Sequence, residues 1–411
     1  MVSLAPSAPI LRSVQRCTMR TLVVAQVLGA VGLAAGGTAG ALLAQDLTGD
    51  TAAAGLPLAL LVLGSGIGAV VVTRIMNLAG RRAGLTTAHL CGALGAVLSV
   101  AAAGLRDWPL LLGGCTLLGC GNAAVMLARY AAADLAVRRG RSISTVVTAA
   151  SVGAVAGPNL LGPAGAVARR LGLPDGTGLF LLAIPAFLAA ALVLIVFLRP
   201  DPLVLAREAV LAGSPVSGRP ITAMFANADV RLALLVLATS NLTMVAIMAV
   251  APVQMHVHGA GLGMVGLTIS AHIAAMYLPS PITGALADRL GARRVTSAAA
   301  LVLVAAGTVA LVAGSGLVGT VIVLILLGIG WNAGLIGGSA LLREAPIEPS
   351  QQTWAEGLGE LGMGAAAAVG GGSAGVVLGA GGFAVLCLVA AVPCVLLLAV
   401  IATNSTVEGE T

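Results

Sequence analysis

The chain is a succession of apolar runs, each broken by a short cluster of arginine, glycine or proline. One helix needs about 20 apolar residues to cross the roughly 30 Å hydrocarbon core of a bilayer. Backbone amides in lipid must bond within their own segment, so runs of that length leave helices as the only fold open to them. Charge is correspondingly scarce. Only 9% of residues are charged, against roughly 25% in soluble domains, and the mean hydropathy is +1.07. The 411 residues leave room for these spans and their loops but not for a sizeable soluble domain.

Reading the runs between their breaks gives twelve spans, six in each half. They are 21–43, 56–75, 83–104, 109–130, 143–166 and 178–198, then 231–253, 262–283, 295–314, 317–341, 353–378 and 382–403. The expected class is an all-α integral membrane protein of two six-helix repeats. Residues 1–198 form the first half, 231–411 the second, and 199–230 a linker carrying Pro200, Pro202, Pro215 and Pro220. The halves echo one another: Asn77, Gly80 and Arg82 recur as Asp288, Gly291 and Arg293 at an offset of 211. "LLGCGNA" at 117–123 likewise echoes "LLGIGWNAG" at 326–334. Like-oriented repeats suit transporters that alternate access to a site near the midplane.

All 21 basic residues are arginine, and the net charge is +6. They stand at the ends of apolar runs with no aromatic platform beside them, which argues against a nucleic-acid partner. With the N-terminus inside, 18 arginines face the cytoplasm, and 3 (Arg106, Arg169 and Arg170) face out. That bias predicts a multi-pass protein of the cell membrane with both termini and the linker cytoplasmic. Arg12, Arg16 and Arg20 precede a first run too long for a signal-peptide core, so it stays attached as a span. Six cysteines without metal-ligand spacing read as small core residues.

"PITGALADRLGARR" at 281–294 concentrates Asp288, Arg289, Arg293 and Arg294 in this charge-poor chain, with Gly284 and Gly291 between them. An acid among arginines beside two glycines reads as a latch at the membrane surface. The first-half copy, "TRIMNLAGRR" at 73–82, keeps Gly80, Arg81 and Arg82 but has Thr73, Asn77 and Leu78 for the first glycine, the acid and the first arginine. "RYAAADLAVRRGRS" at 129–142 brings Arg129 and Asp134 to the same boundary, and Arg343 with Glu344 are the counterparts. The stretches at 281–294 and 73–82 resemble the loop signature of the major facilitator superfamily, G-x-L-A-D-R-x-G-R-R, and 129–142 resembles the family's D-L-x-P-x-x-R-G-R ending. The resemblance implies an alternating-access transporter in which the loop stabilises one conformation.

"GAVAGPNLLGP" at 153–163 places Gly153 and Gly157 one turn apart, with Pro158 to bend the helix and Gly162 beyond it. It resembles the G-x-x-x-G-P signature of the superfamily's exporters, especially drug:proton antiporters, while ordinary glycine packing is the competing reading. Gly266, Ser270 and Ala274 offer a small-residue face on span 8. The resemblance brings spans 5 and 8 together as a hinge. Cys115 stands where many of those exporters carry an arginine.

Polar groups inside spans are costly unless they line a cavity or find partners. Gln26, Asn122, Asn159, Asn241, Tyr277, Trp331 and Asn332 are the candidates for a substrate path, with satisfaction by neighbouring backbone as the alternative for each. No carboxylate stands at the centre of a span. His272 in span 8 and Glu356 and Glu360, one turn apart in span 11, are the protonatable candidates for coupling. Each carboxylate either pairs with an arginine such as Arg129 or carries a proton.

The expected function is export of small amphipathic or hydrophobic organic compounds by proton antiport. Import or uniport of a small organic solute is the alternative. The partners are that substrate, the lipid bilayer and protons as the coupling ion, for a monomer without cofactor or metal. His256 and His258 make a lone His-x-His, too little for a metal site or an enzyme.

Overall fold

A computed structural model describes residues 8–33, 39–49, 56–211, 220–260, 262–312 and 316–408. The side chains of 8–10, 154–159, 161, 209–211, 221, 253, 256, 257, 262, 263 and 402–408 lie outside the description. In chain order the helices are α1 (Ala8–Leu33), α2 (Gly40–Thr48), α3 (Leu56–Leu105), α4 (Trp108–Ala131), α5 (Arg139–Arg170), α6 (Gly178–Phe197) and α7 (Pro202–Leu211). There follow α8 (Ala228–Met248), α9 (Ala251–Val257), α10 (Leu262–Tyr277), α11 (Ser280–Leu290), α12 (Ala292–Val312), α13 (Leu317–Glu344) and α14 (Pro349–Glu408).

Among the described residues, eight helices are long and apolar enough to cross a bilayer. Two of them, α3 with 50 residues and α14 with 60, are each broken once by a glycine with positive φ: Gly80 at φ 87° and Gly382 at φ 76°. Fifty residues of helix measure about 75 Å, more than twice the hydrocarbon core, so each supplies two spans. The arginine-headed α1 and the Ser/Thr-rich α5 bring the described helices to the twelve spans read from the sequence. Glycine alone adopts such a φ without strain, and Gly291 at φ 90° separates α11 from α12 in the same way. Gly80 and Gly291 are the positions that the repeat relates.

Some boundaries differ from those read from the sequence, and proline is the reason. The span expected at 262–283 is two helices, α10 and α11, with Pro279 immediately before α11 and Pro281 in its first turn. The span expected at 231–253 ends with α8, and α9 begins beside Pro252. Part of the expected linker is helical, as α7. Capping is local where it occurs: Asp107 accepts from Leu110 N at 2.9 Å ahead of α4, and Asn227 accepts from Asp229 N at 2.8 Å ahead of α8.

The chain divides into two compact units, Met1–Met224 with Ile347–Leu361, and Phe225–Pro346 with Gly362–Thr411. The start of α14 therefore belongs with the first unit. In that unit Phe187 of α6 is seated among three glycines: a Cβ at Gly32 or Gly121 would stand 2.9 Å from the ring, and one at Gly92 3.3 Å from it. Ordinary carbon contacts are about 3.5–4.0 Å, so these helices meet because glycine leaves room. In the second unit a Cβ at Gly334 would stand 2.1 Å from Ser240 Oγ, and one at Gly328 would stand 2.8 Å from the His272 carbonyl oxygen. Outward faces are apolar: Leu63, Ile67 and Val71, spaced by one helical turn, are 54%, 53% and 53% exposed. Such a stripe is solvated by lipid.

Candidate functional site

The break at Gly80 turns Arg81 inward to a fully buried position, where it holds two carboxylates. Its Nε and Nη2 donate to the two oxygens of Asp134 at 2.9 and 3.1 Å, a bidentate pair. Nη2 also donates to Glu356 Oε1 at 3.0 Å, and Nη1 lies 2.6 Å from Glu356 Oε2 as an ion-pair contact. Four residues on along α14, Glu360 Oε1 accepts from Arg129 Nη2 at 2.5 Å. Arg129 further donates to the Tyr130 hydroxyl at 3.1 Å and stacks over the Tyr130 ring at 4.5 Å. Burying charges is favourable only when each is paired and hydrogen-bonded, and this cluster meets that condition.

A second layer comes from α7. Asp201 accepts from Arg82 N at 2.8 Å and from Leu203 N at 3.0 Å, so one carboxylate caps α7 and closes the turn after Gly80. A Cβ at Gly80 would stand 2.5 Å from that carboxylate. Arg207 of α7 donates to the Asn77 carbonyl oxygen at 2.9 Å and to Asn77 Oδ1 at 2.5 Å. Position 77, which lacks the acid, is thus still held by an arginine from α7 through its carbonyl and amide oxygens. Gly357 of α14 lies against Thr73, where its Cβ would be 2.3 Å from Oγ1. Thr73, which replaces the signature's first glycine, is accommodated by a glycine opposite. Asp201, Arg207 and Gly357 escaped sequence reading. The "DP" at 201–202 at the head of a helix was a capping signal for the first.

In the second unit the corresponding loop is arranged differently. Arg293 donates to Asp229 Oδ1 at 3.0 Å, whereas Asp288 is half-buried at the end of α11 and Arg289 and Arg294 are exposed. Gly284 is buried inside α11, and Gly291 makes the turn.

The polar span residues fall into separate groups. In the first unit Gln26 donates to Val125 O at 3.0 Å and Asn122 to Ser65 Oγ at 2.9 Å. In the second, Trp331 Nε1 donates to Asn241 Oδ1 at 3.0 Å, Asn241 Nδ2 donates to Met363 O at 2.7 Å, and the Tyr277 ring meets Trp331 edge-on at 6.1 Å. Asn332 ties α13 to α10 and α11: it accepts from Thr283 Oγ1 and donates to Met276 O and Ser280 Oγ, all at 2.7 Å. His272 is 1% exposed, with Nδ1 2.7 Å from Leu324 O. Among the described residues its Nε2 has no partner.

Of the glycine signature in α5, Gly153 packs on α1, where its Cβ would be 2.3 Å from the carbonyl carbon of Ala30. No described residue lies within 4 Å of a Cβ built at Gly162 or Gly266. Gly157, Pro158 and Asn159 fall on α5 where side chains lie outside the described residues, as does the side chain of His256.

A polytopic helical protein with a duplicated span pattern, a glycine-broken loop and buried ion pairs at its edge is the construction of a membrane transporter. No family model matches the chain, but whole-chain relatives do. It is 38% identical to the MFS-type transporter YdeG of Bacillus subtilis (strain 168), covering 95% of this chain and 92% of that one. It is 30% identical to the riboflavin transporter RfnT of Brucella anthropi over 82% of each chain. The fold matches the sugar-transporter structures FucP (TM-score 0.67, 18% identity, 94% of this chain and 98% of that one) and XylE (TM-score 0.71, 16% identity, 95% and 96%). The chain belongs to the major facilitator superfamily, and is a multi-pass membrane transport protein rather than an enzyme.

Proposed function

We propose that this transporter exports small amphipathic organic compounds across the cell membrane in exchange for protons. The halves 1–198 and 231–411 alternate about a substrate path, and the linker 199–230 stays in the cytoplasm. The observation that carries the substrate class is the meeting of Asn241, Trp331 and Tyr277 in the second unit. Two ring systems and an amide suit an uncharged planar or amphipathic solute better than a polyanion. A relative named for riboflavin, a planar ring system with a polar tail, supports the same class. His272, buried with an open Nε2, is the proton carrier in this reading. Glu356 and Glu360 are latch residues whose pairs with Arg81 and Arg129 form and break once per cycle. Import or uniport of the same solute is the second reading, and Cys115 favours it, because it occupies a position where related exporters carry arginine.

Membrane vesicles from cells with and without the protein test this with riboflavin and a lipophilic dye as probes. Everted vesicles with an acidic lumen should accumulate a probe, and His272→Ala should abolish that accumulation while sparing downhill exchange. Accumulation unchanged after collapse of the gradient rejects proton coupling. Accumulation in right-side-out vesicles instead selects import.

A further inference from the structure

We propose that Cys91 and Cys120 form a dithiol site in the first unit that takes a thiol-bridging soft electrophile, specifically a neutral trivalent organoarsenical. The site stands apart from the transport reading above. Cys91 lies on α3 beyond the Gly80 break, and Cys120 lies on α4. Both are free and half-buried, and their thiols are hydrogen-bonded to one another across the two helices.

Glycine brings the sulfurs together. A Cβ at Gly92 would stand 3.1 Å from the Gly121 Cα, so the backbones of α3 and α4 touch immediately after each cysteine. The two helices join through the short break at Arg106 and Asp107, which makes them antiparallel neighbours. A helix turns about 100° per residue, and in an antiparallel pair the residues preceding a shared contact swing to the same side of it. Cys91 and Cys120 therefore face one groove. Its further wall is the opening half of α3: a Cβ at Gly68 would stand 3.0 Å from both Cα and Sγ of Cys120, and Cys120 Sγ donates to Gly64 O at 3.9 Å.

The ligand follows from what the groove supplies. Among the described residues no third histidine, cysteine or carboxylate joins the pair, whereas a zinc site takes at least three protein ligands. A centre that needs two sulfurs and nothing else fits. Both cysteines lie near the middle of apolar spans, where a charged product is costly. A trivalent organoarsenical carries one organic group and two hydroxyls on arsenic, and two thiols exchange both As–O bonds for As–S bonds. The thiol protons leave with the hydroxides as two waters, arsenic stays trivalent, and the product is uncharged. No oxidant is consumed. The same neutrality lets the reagent reach the groove through lipid. Other thiols have hydroxyl partners instead: Cys115 is hydrogen-bonded to Ser99, and Cys394 Sγ lies 3.5 Å from Thr243 Oγ1.

The test treats the full chain in lipid nanodiscs with phenylarsine oxide, washes it with the monothiol mercaptoethanol, and weighs the intact protein by mass spectrometry. A variant carrying Cys17→Ala, Cys115→Ala, Cys387→Ala and Cys394→Ala keeps only the proposed pair. It should retain one phenylarsenic group per chain, lose both thiols to maleimide titration, and release the group to the dithiol dimercaptopropanol. Adding Cys91→Ser or Cys120→Ser should abolish retention. If the fourfold variant does not fold, Cys91→Ser in the otherwise unaltered chain reads the same adduct, and retention should fall by one group per chain. No retained arsenic in protein that is helical by circular dichroism overturns the inference, as does retention that survives the loss of Cys91.

Discussion

Arg81 is the cation of a site with two buried carboxylates, so its loss harms the fold more than the loss of either acid. Arg81→Ala leaves Asp134 and Glu356 buried without their partner, and breaking such a group costs about 3–5 kcal/mol. Thermal unfolding in detergent should register that loss. Glu356→Gln should be milder, because Arg81 keeps its bidentate pair with Asp134. Asn77→Asp acts in the other direction: Arg207 already donates to Asn77 Oδ1 at 2.5 Å, and a charge there strengthens the bond. Under the latch reading it slows turnover at equal expression, and wild-type rates would count against that reading. At this scale, Arg81 and Asp134 were legible because charge in so apolar a chain stands out. Asp201 was legible only as a cap for α7, since its other partner is a backbone N–H 119 positions away, and so distant a backbone bond leaves no trace in residue types.

Elements pack here through glycine, so a single side chain can separate two helices. Gly153→Leu should force α5 from α1, because its Cβ already falls within 2.3 Å of the Ala30 backbone. The expected outcome is loss of folded protein on size-exclusion chromatography, with folded, active protein as the contrary result. Gly80→Ala adds an unfavourable φ to a contact 2.5 Å from the Asp201 carboxylate. It should lower thermal stability and displace α7 from the loop. Spans were legible because lipid requires long apolar helices. Their breaks were less so: among 56 glycines, only the backbone angle distinguishes Gly80 and Gly382 from those that merely pack. The helix α7 was hidden because a short stretch that opens after two prolines reads as linker.

For the whole molecule, hydropathy, arginine distribution and the repeat sufficed to read a two-part transporter architecture. The pairing of Glu360 with Arg129, 231 positions away, was one of the two readings of that acid, but the pairing of Glu356 with Arg81, 275 positions away, and with it the packing of residues 347–361 into the first unit, was not read. The orientation proposed from the arginine bias predicts that a cysteine placed in the 199–230 linker of a cysteine-free variant resists an impermeant maleimide in intact cells. It should react once the cells are opened, and labelling in intact cells would reverse the topology. The central claim is that the start of α14 leaves the first unit once in every transport cycle. Gly66 offers the direct measurement, because a Cβ there would stand 4.0 Å from Leu361 Cα, within reach of a disulfide. In a variant freed of its native cysteines, Gly66→Cys with Leu361→Cys should stop vesicle transport of the probe when oxidised and regain it on reduction. Transport at the full rate with the disulfide completely formed would contradict the account.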